Sequence, residues 1–261
     1  MRALSIAATG MNAQQMRVEV ISNNLANMST TAYNARRAEF ADLHYQQLAR
    51  PGSIASATGA IVPTGVQLGL GVRAAAVTMD PRQGTIAQTN GQLDVAISGK
   101  GYIEITLPSG ASAYTRDGAM KRTGEGQLVT NDGHPIVPDI TIPDDATSID
   151  INPEGEVYAN FSDRTEPELL GQLTLVGFTN EKGLEALGSN LYAETGASGA
   201  PLAGFAGEDG LGYFRQGYLE DSSVDAVREI TNLIEAQRGY EMNAKVITAA
   251  DQMMSATTQI R

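Results

Sequence analysis

At both ends of this chain apolar residues recur at alternating steps of three and four, and about two hundred turn-rich residues separate the two patterns. The amino-terminal stripe runs Leu4, Ala7, Met11, Gln14, Val18, Ile21, Leu25, Met28. The carboxy-terminal one runs Ala226, Ile230, Leu233, Gln237, Tyr240, Ala244, Ile247, Asp251, Met254. Each predicts a helix of several turns with an a/d-type seam. Helices of this length are marginal alone in water, because nucleation is costly and burial of the apolar face supplies most of the stability. Both ends therefore need partners. Periodicity leaves two solutions level, a helical hairpin closed within one chain and packing against other copies. The small and polar seam positions Ala7, Gln14, Gln237 and Ala244 favour the array, since a private core would use larger side chains there.

The sequence has 261 residues, enough for a sizeable core in one or two domains. Its formal net charge of -12 argues against nucleic acid and against a basic membrane-surface patch. It has no Cys, which removes disulfides, thiolate metal sites and thiol nucleophiles, and suits a chain that crosses a membrane unfolded into an oxidising space. No stretch approaches the roughly eighteen apolar residues of a membrane span, so no membrane insertion is expected. The first residues, Met1 to Ile6, carry no continuous apolar run, so no cleavable secretory signal is expected either.

Between the stripes, Asn27-Met28-Ser29-Thr30-Thr31 ends the first helix, and Tyr33 to Leu48 extends it or forms an arm. A Gly/Ala/Ser/Thr-rich stretch from Arg50 to Gly71 predicts an extended connector, and a similar stretch from Thr195 to Gly217 is expected to pair with it. From Val72 to Tyr192 short β-prone runs (Leu93–Ile97, Tyr102–Leu107, Gln127–Thr130, Leu169–Phe178) alternate with turn signals at Pro108–Gly110, Arg116–Gly118, Asn131–Gly133 and Pro153–Gly155. The expected class is α+β. Paired, coiled-coil-like terminal helices (1–38 and 220–261) flank extended connectors (39–72 and 195–219) and a central, mostly antiparallel all-β domain (73–194).

No catalytic constellation is legible. His44 and His134 lie about ninety residues apart, too far for a zinc motif of the HExxH kind. The glycines of Gly65–Gly71 and of Gly99-Lys100-Gly101 lack the ending of a phosphate loop. Asp144-Asp145 and Glu208-Asp209 are adjacent acids in turn settings and match no calcium loop. An enzyme acting on peptidoglycan or sugar through Asp144, Asp145 or Glu208 would need those carboxylates to converge in a cleft. No catalytic residue, metal site or cofactor is expected.

Ser22-Asn23-Asn24-Leu25-Ala26-Asn27 followed by Thr31-Ala32-Tyr33 closely resembles the amino-terminal signature of the bacterial flagellar rod and hook proteins. Leu93–Tyr102, Ala113–Gly118 and Gly126–Thr130 resemble the family's central motifs, and Gln216–Val224 with Ile234–Glu241 its carboxy-terminal ones. The likeness covers nearly the whole chain, and its length and the stretch Leu43–Gly52 resemble the rod branch more than the longer hook protein. Ala32 and Asn34 stand where the family commonly has Gly and Lys, Met120 where an aromatic is common, and Gly239 where Ala is common.

The resemblance implies a helical homopolymer in the flagellar basal body, exported without a cleavable signal, whose rod crosses the periplasm. In it the terminal helices would line a tube and the β domain would form an outer layer. Implied partners are other copies of the chain, proximal rod proteins, the hook protein, the rod-surrounding bushing rings and the flagellar export apparatus. The expected assembly residues are Leu4, Ala7, Met11, Val18, Ile21, Leu25, Met28, Ile230, Leu233, Tyr240, Ala244, Ile247 and Met254. The segment Gln46 to Gly71 is expected to fill space between subunits along the axis and to stiffen the rod.

Overall fold

The computed structural model describes residues 2–49, 64–164 and 166–259. It is α+β, and contacts divide it into two compact units, one of residues 1–26, 36–78 and 225–261 and one of residues 27–35 and 79–224.

The first unit holds both long helices, α1 (Arg2–Ala26) and α2 (Ala226–Gln259). Helix α2 starts where Asp225 Oδ1 accepts the amides of Val227 (3.1 Å) and Arg228 (3.2 Å), which satisfies two donors that a helix start leaves unpaired. Beside the helices, strand Arg36–Asp42 pairs with Val72–Met79, and Tyr45–Ala49 pairs antiparallel with Val66–Gly69. Arg36–Asp42 and Tyr45–Ala49 are thus strands, and the stretch after the first helix is an arm of two strands and not a continuation of the helix. The middle of the expected first connector, residues 50–63, lies outside the described residues. Gly71 closes this part against α1: its φ of 114° is a glycine conformation, and a Cβ there would stand 2.2 Å from Thr9 Oγ1.

The second unit is antiparallel β around a core that includes Val95, Ile97, Ile103, Ile105, Leu173 and Leu175, all essentially solvent-free. A four-stranded sheet runs in the order Glu185–Gly188, Leu191–Ala193, Ser112–Thr115, Ile103–Thr106, and a three-stranded one in the order Ala146–Ile151, Glu156–Phe161, Glu168–Gln172. Tyr102, Tyr114, Phe178 and Tyr192 form a second cluster through edge-to-face contacts, with centroids 4.9 to 5.8 Å apart.

The expected connector 195–219 is a correction. It does not pair with the first connector among the described residues but supplies strands to the β unit. Leu202–Gly204 pairs with Leu175–Gly177, Tyr213–Gln216 with Val95–Ser98, and Tyr218–Glu220 with Ile86–Gln88. Its small residues suit close backbone approach in these short pairings: a Cβ on Gly212 would stand 2.5 Å from the Ser98 carbonyl.

The chain enters and leaves the β unit side by side. The Ala32 amide donates to the Glu220 carbonyl (2.8 Å), the Ser223 amide to the Tyr33 carbonyl (2.9 Å), and the Ala35 amide to Ser223 Oγ (2.9 Å). Below this clasp, Glu220 and Arg116 form an ion pair of 2.8 Å with both side chains almost wholly buried. Arg116 also donates to the carbonyls of Gly101 (2.9 Å) and Gly99 (3.1 Å), and Glu220 Oε1 accepts the Gly84 amide (3.0 Å). At the predicted turn Arg116–Gly118 side chains bend the chain, the Asp117 amide donating to Thr115 Oγ1 (3.0 Å) and the Ala119 amide to Asp117 Oδ1 (3.0 Å), and the other three predicted turns are turns as well.

Candidate assembly site

Helices α1 and α2 pack along most of their length, and the pairing is antiparallel: Gly10 lies against Asn243, Gln14 against Gly239, Arg17 against Glu235, and Asn24 against Glu229. The centre of the seam has a reciprocal construction. On α1, Gly10 leaves room for the Asn243 amide, and on α2, Gly239 leaves room for the Gln14 amide. A Cβ on Gly10 would be 2.9 Å from Asn243 Nδ2, and one on Gly239 would be 3.1 Å from Gln14 Cδ. The glycine at 239 therefore serves close packing, which offsets the roughly 0.5–1 kcal/mol that glycine costs inside a helix.

The structure distributes the expected assembly residues unevenly. On α1, Ala7 and Ile21 are buried in the pair and Leu4, Met11, Val18 and Leu25 are half-buried, while Met28 lies beyond the helix end and is exposed. On α2, Leu233, Ala244 and Ile247 are half-buried, but Ile230 (46 % exposed), Tyr240 (44 %) and Met254 (39 %) face outward. The seam of α2 is instead set by Ala236 and Ala250, both buried, with Gly239 and Asn243 between them. Small residues face α1, and the large apolar ones, Val227, Ile230, Ile234, Met242 and Val246, stand on the uncovered side. The α2 seam keeps the three-four step of the predicted stripe but runs one residue earlier, at Ala236, Gly239, Asn243 and Ala250 in place of Gln237, Tyr240, Ala244 and Asp251, so it is made of small side chains.

The signature residues have separate mechanical roles. Asn24 is buried, donates through Nδ2 to the Arg36 carbonyl (2.8 Å) and accepts the Arg36 amide on Oδ1 (2.9 Å), so one side chain pins the following strand to α1. Asn27 ends the helix: its carbonyl accepts the Thr30 amide (3.2 Å) and its Oδ1 the Thr30 hydroxyl (3.2 Å). Tyr33 lends its carbonyl to the clasp. Leu25 is half-buried, and Ser22, Asn23 and Ala26 are exposed. Ala32 keeps a left-handed backbone (φ 53°) without being glycine.

Charge divides with the units. Residues 27–35 and 79–224 contain 22 acidic and eight basic side chains, whereas the remaining residues contain eight acidic and ten basic ones. Of the acids considered as catalysts, Asp144 and Asp145 lie exposed on one turn and Glu208 on another, and Asp144 is 3.6 Å from Arg122. Among the described residues no three His, Asp or Glu gather as a metal-binding group, and no helix is long and apolar enough to cross a membrane.

Sequence reasoning missed Arg116, Glu220 and Asp225. A cap signal, Asp before a helical run, was available for the last. No local signal pairs Arg116 with a residue 104 positions away.

Three protein families match successive parts of the chain: the "Flagella basal body rod protein" family at residues 4–33, the "Flagellar hook protein FlgE/F/G D1 domain" at 96–159, and the "Flagellar basal body rod FlgEFG protein C-terminal" at 215–260. The chain is 54% identical to the flagellar basal-body rod protein FlgG of Caulobacter vibrioides over 100% of both chains. It is 50% identical to that of Agrobacterium fabrum over 99% of both, and 35% identical to that of Bacillus subtilis over 100% of this chain and 99% of that one. The first and last matches fall on α1 and α2 and the middle one on the β unit, so the elements that form the helix pair, the clasp and the core are the ones the relatives share, and the chain belongs to the flagellar basal-body rod protein family.

Proposed function

We propose that the chain is a structural subunit of the distal rod of the bacterial flagellum. Copies polymerise into a helical tube that transmits torque and encloses the export channel, with the terminal helices toward the channel and the β unit outward. The observation that carries this reading is the uncovered face of α2: Val227, Ile230, Ile234, Met242 and Val246 are all 46 % exposed or more on one helix. A lone chain has no use for such a face, and contiguous apolar surface of this kind marks an association site. A contact between different patches that does not close into a ring generates a helical filament, the geometry of an axle.

The subunit acts without catalysis or cofactor, and reaches the rod across the periplasm by the flagellar export route rather than through a cleaved signal. Its neighbours are other copies, the proximal rod, the hook and the bushing rings. The segment Gln46–Gly71 fills space between subunits along the axis. Deleting the gene in its host and purifying basal bodies tests the reading. Rods that stop short and cells that no longer swim are expected, and intact rods with normal swimming would refute it. Cryo-tomograms of a strain lacking only residues 50–63 test the connector, since straight, rigid rods of normal length would remove its role.

A further inference from the structure

Asn90-Gly91 is the one Asn-Gly pair in the sequence, and it stands in the β unit between strands Ile86–Gln88 and Val95–Ser98. Asn90 has a left-handed backbone (φ 60°), and Gln88, Thr89 and Asn90 are exposed to water. Asn is a labile side chain, and before glycine it is at its most open to ring closure, because no Cβ hinders attack of the following amide nitrogen on the Asn side-chain carbon. That attack ordinarily stalls on the amide proton, which needs a base to take it. Here a base stands ready. The Gly91 amide donates to Thr89 Oγ1 (3.4 Å), and the Thr89 hydroxyl donates to Asp94 Oδ2 (2.6 Å), a shorter bond than its alternative to the Gly217 carbonyl (3.4 Å). From the other side Gln88 Nε2 donates to Asn90 Oδ1 (2.7 Å). Only glycine admits this arrangement at position 91, since a Cβ there would stand 2.4 Å from Asp94 Oδ2.

We propose that Asn90 is a self-modifying site, converted by its own neighbours to aspartate and isoaspartate. The Gly91 nitrogen attacks Asn90 Cγ while its proton passes through the Thr89 hydroxyl to the Asp94 carboxylate, and Gln88 stabilises the negative charge that develops on Oδ1. The bond from Cγ to Nδ2 then breaks, Nδ2 takes the proton from Asp94 and leaves as ammonia, and a succinimide ring remains. Water opens the ring at either of its carbonyls. Both products add a negative charge, and isoaspartate also adds a carbon to the main chain. The change falls in the loop that holds Gly217, whose carbonyl accepts the amides of Thr89 (2.9 Å) and Asn90 (3.1 Å) and whose own amide donates to the Asp94 carbonyl (2.7 Å). Gly217 precedes the strand Tyr218–Glu220 that leads into the clasp. The reaction is independent of the reading of the chain as a rod subunit.

Peptide mass mapping of the purified chain, aged folded in neutral buffer and aged unfolded in guanidinium, tests the site. Without the relay a fold would slow ring closure by restricting the chain, whereas with it the folded chain is expected to convert Asn90 about tenfold faster than the unfolded one. Asp94→Asn keeps the shape of the side chain but not the base, and is expected to slow the folded reaction about tenfold, with a loss of a few-fold for Gln88→Ala. Asn131 and Asn180, also exposed but not followed by glycine, are expected to remain amides over the same period. Circular dichroism melts establish that the variants fold, and the comparison of folded with unfolded chain needs no variant. A folded rate at or below the unfolded one, or an unchanged rate in a folded Asp94→Asn chain, would overturn the proposal.

Discussion

Ala32 holds a left-handed backbone with its methyl buried at 2 % exposure. Glycine would relieve strain of about 1–2 kcal/mol, but would give back a similar amount through a freer unfolded chain and a lost methyl contact. Ala32→Gly is therefore expected to change stability by less than about 0.5 kcal/mol, and Ala32→Val, branched at a positive φ in a filled site, to cost about 2 kcal/mol or more. Urea melts of the two variants check this, and a Val variant as stable as the parent would show that the backbone angle is not enforced. Arg116 is the other decisive residue. Its guanidinium meets one carboxylate and two carbonyls in a site with almost no solvent, so Arg116→Ala leaves Glu220 charged and buried. A loss of about 3–5 kcal/mol follows, and Arg116→Lys does not restore it, because an ammonium cannot span the same acceptors. Equal denaturation midpoints for Arg116→Lys and the parent would contradict this.

Among the elements, the helices were fully legible and their faces were not. Steps of three and four fix the helical state, but apolar character alone does not fix which of two adjacent stripes on α2 meets α1, and the pair takes the one with small side chains. Gly239 and Asn243 look like defects in a heptad and are the seam, while Ile230 and Tyr240 look like the seam and face outward. The strands of the β unit were legible where branched residues alternate, as at Ile103–Thr106. They were lost where small residues dominate, as at Leu202–Gly204, whose pairing follows from tertiary packing and not from propensity.

The notch between Gln14 and Gly239 yields a coupled prediction. Gly239→Ala should gain little or nothing while Gln14 occupies the space, and should stabilise by about 0.5–1 kcal/mol in a Gln14→Ala background, where the helix propensity of alanine acts alone. Additive effects in the double-mutant cycle would show that the two residues do not meet. The aromatic cluster gives a pH dependence. Burial raises the Tyr102 hydroxyl well above the ordinary tyrosine value, and burial first, with Glu104 and Glu194 nearby, pushes Tyr114 up to about 12. Unfolded tyrosines ionise near 10, so between there and about 12 the folded chain binds more protons than the unfolded one. Stability is intact below pH 10 and falls as pH rises through that window. Tyr114→Phe should flatten part of this loss in melts compared at pH 9 and 11, and an unchanged slope would remove Tyr114 as its source.

At the level of the molecule, the two units have different means of stability. The β unit closes over its own core, whereas α1 and α2 meet over small side chains, and α2 keeps large apolar residues uncovered. The terminal helices are therefore expected to be largely unformed in dilute monomer and to gain their helicity on assembly. Circular dichroism of monomer and polymer checks this, and full helicity in the monomer would exclude it.

The clasp at the mouth of the β unit bears on how such a pair can form at all. Joining two helices across about 200 unstructured residues carries a loop-closure cost near 5 kcal/mol, which a seam of alanine, glycine and amide is poorly equipped to overcome. The bonds from Ala32 to Glu220 and from Ser223 to Tyr33 form within the β unit, and they hold the residues that follow α1 beside those that precede α2. Once that unit has folded, the longest-range pairing in the chain becomes a short hairpin closure. Each subunit is thereby expected to fold its β unit first and to carry two helix-forming ends already held side by side to the growing polymer.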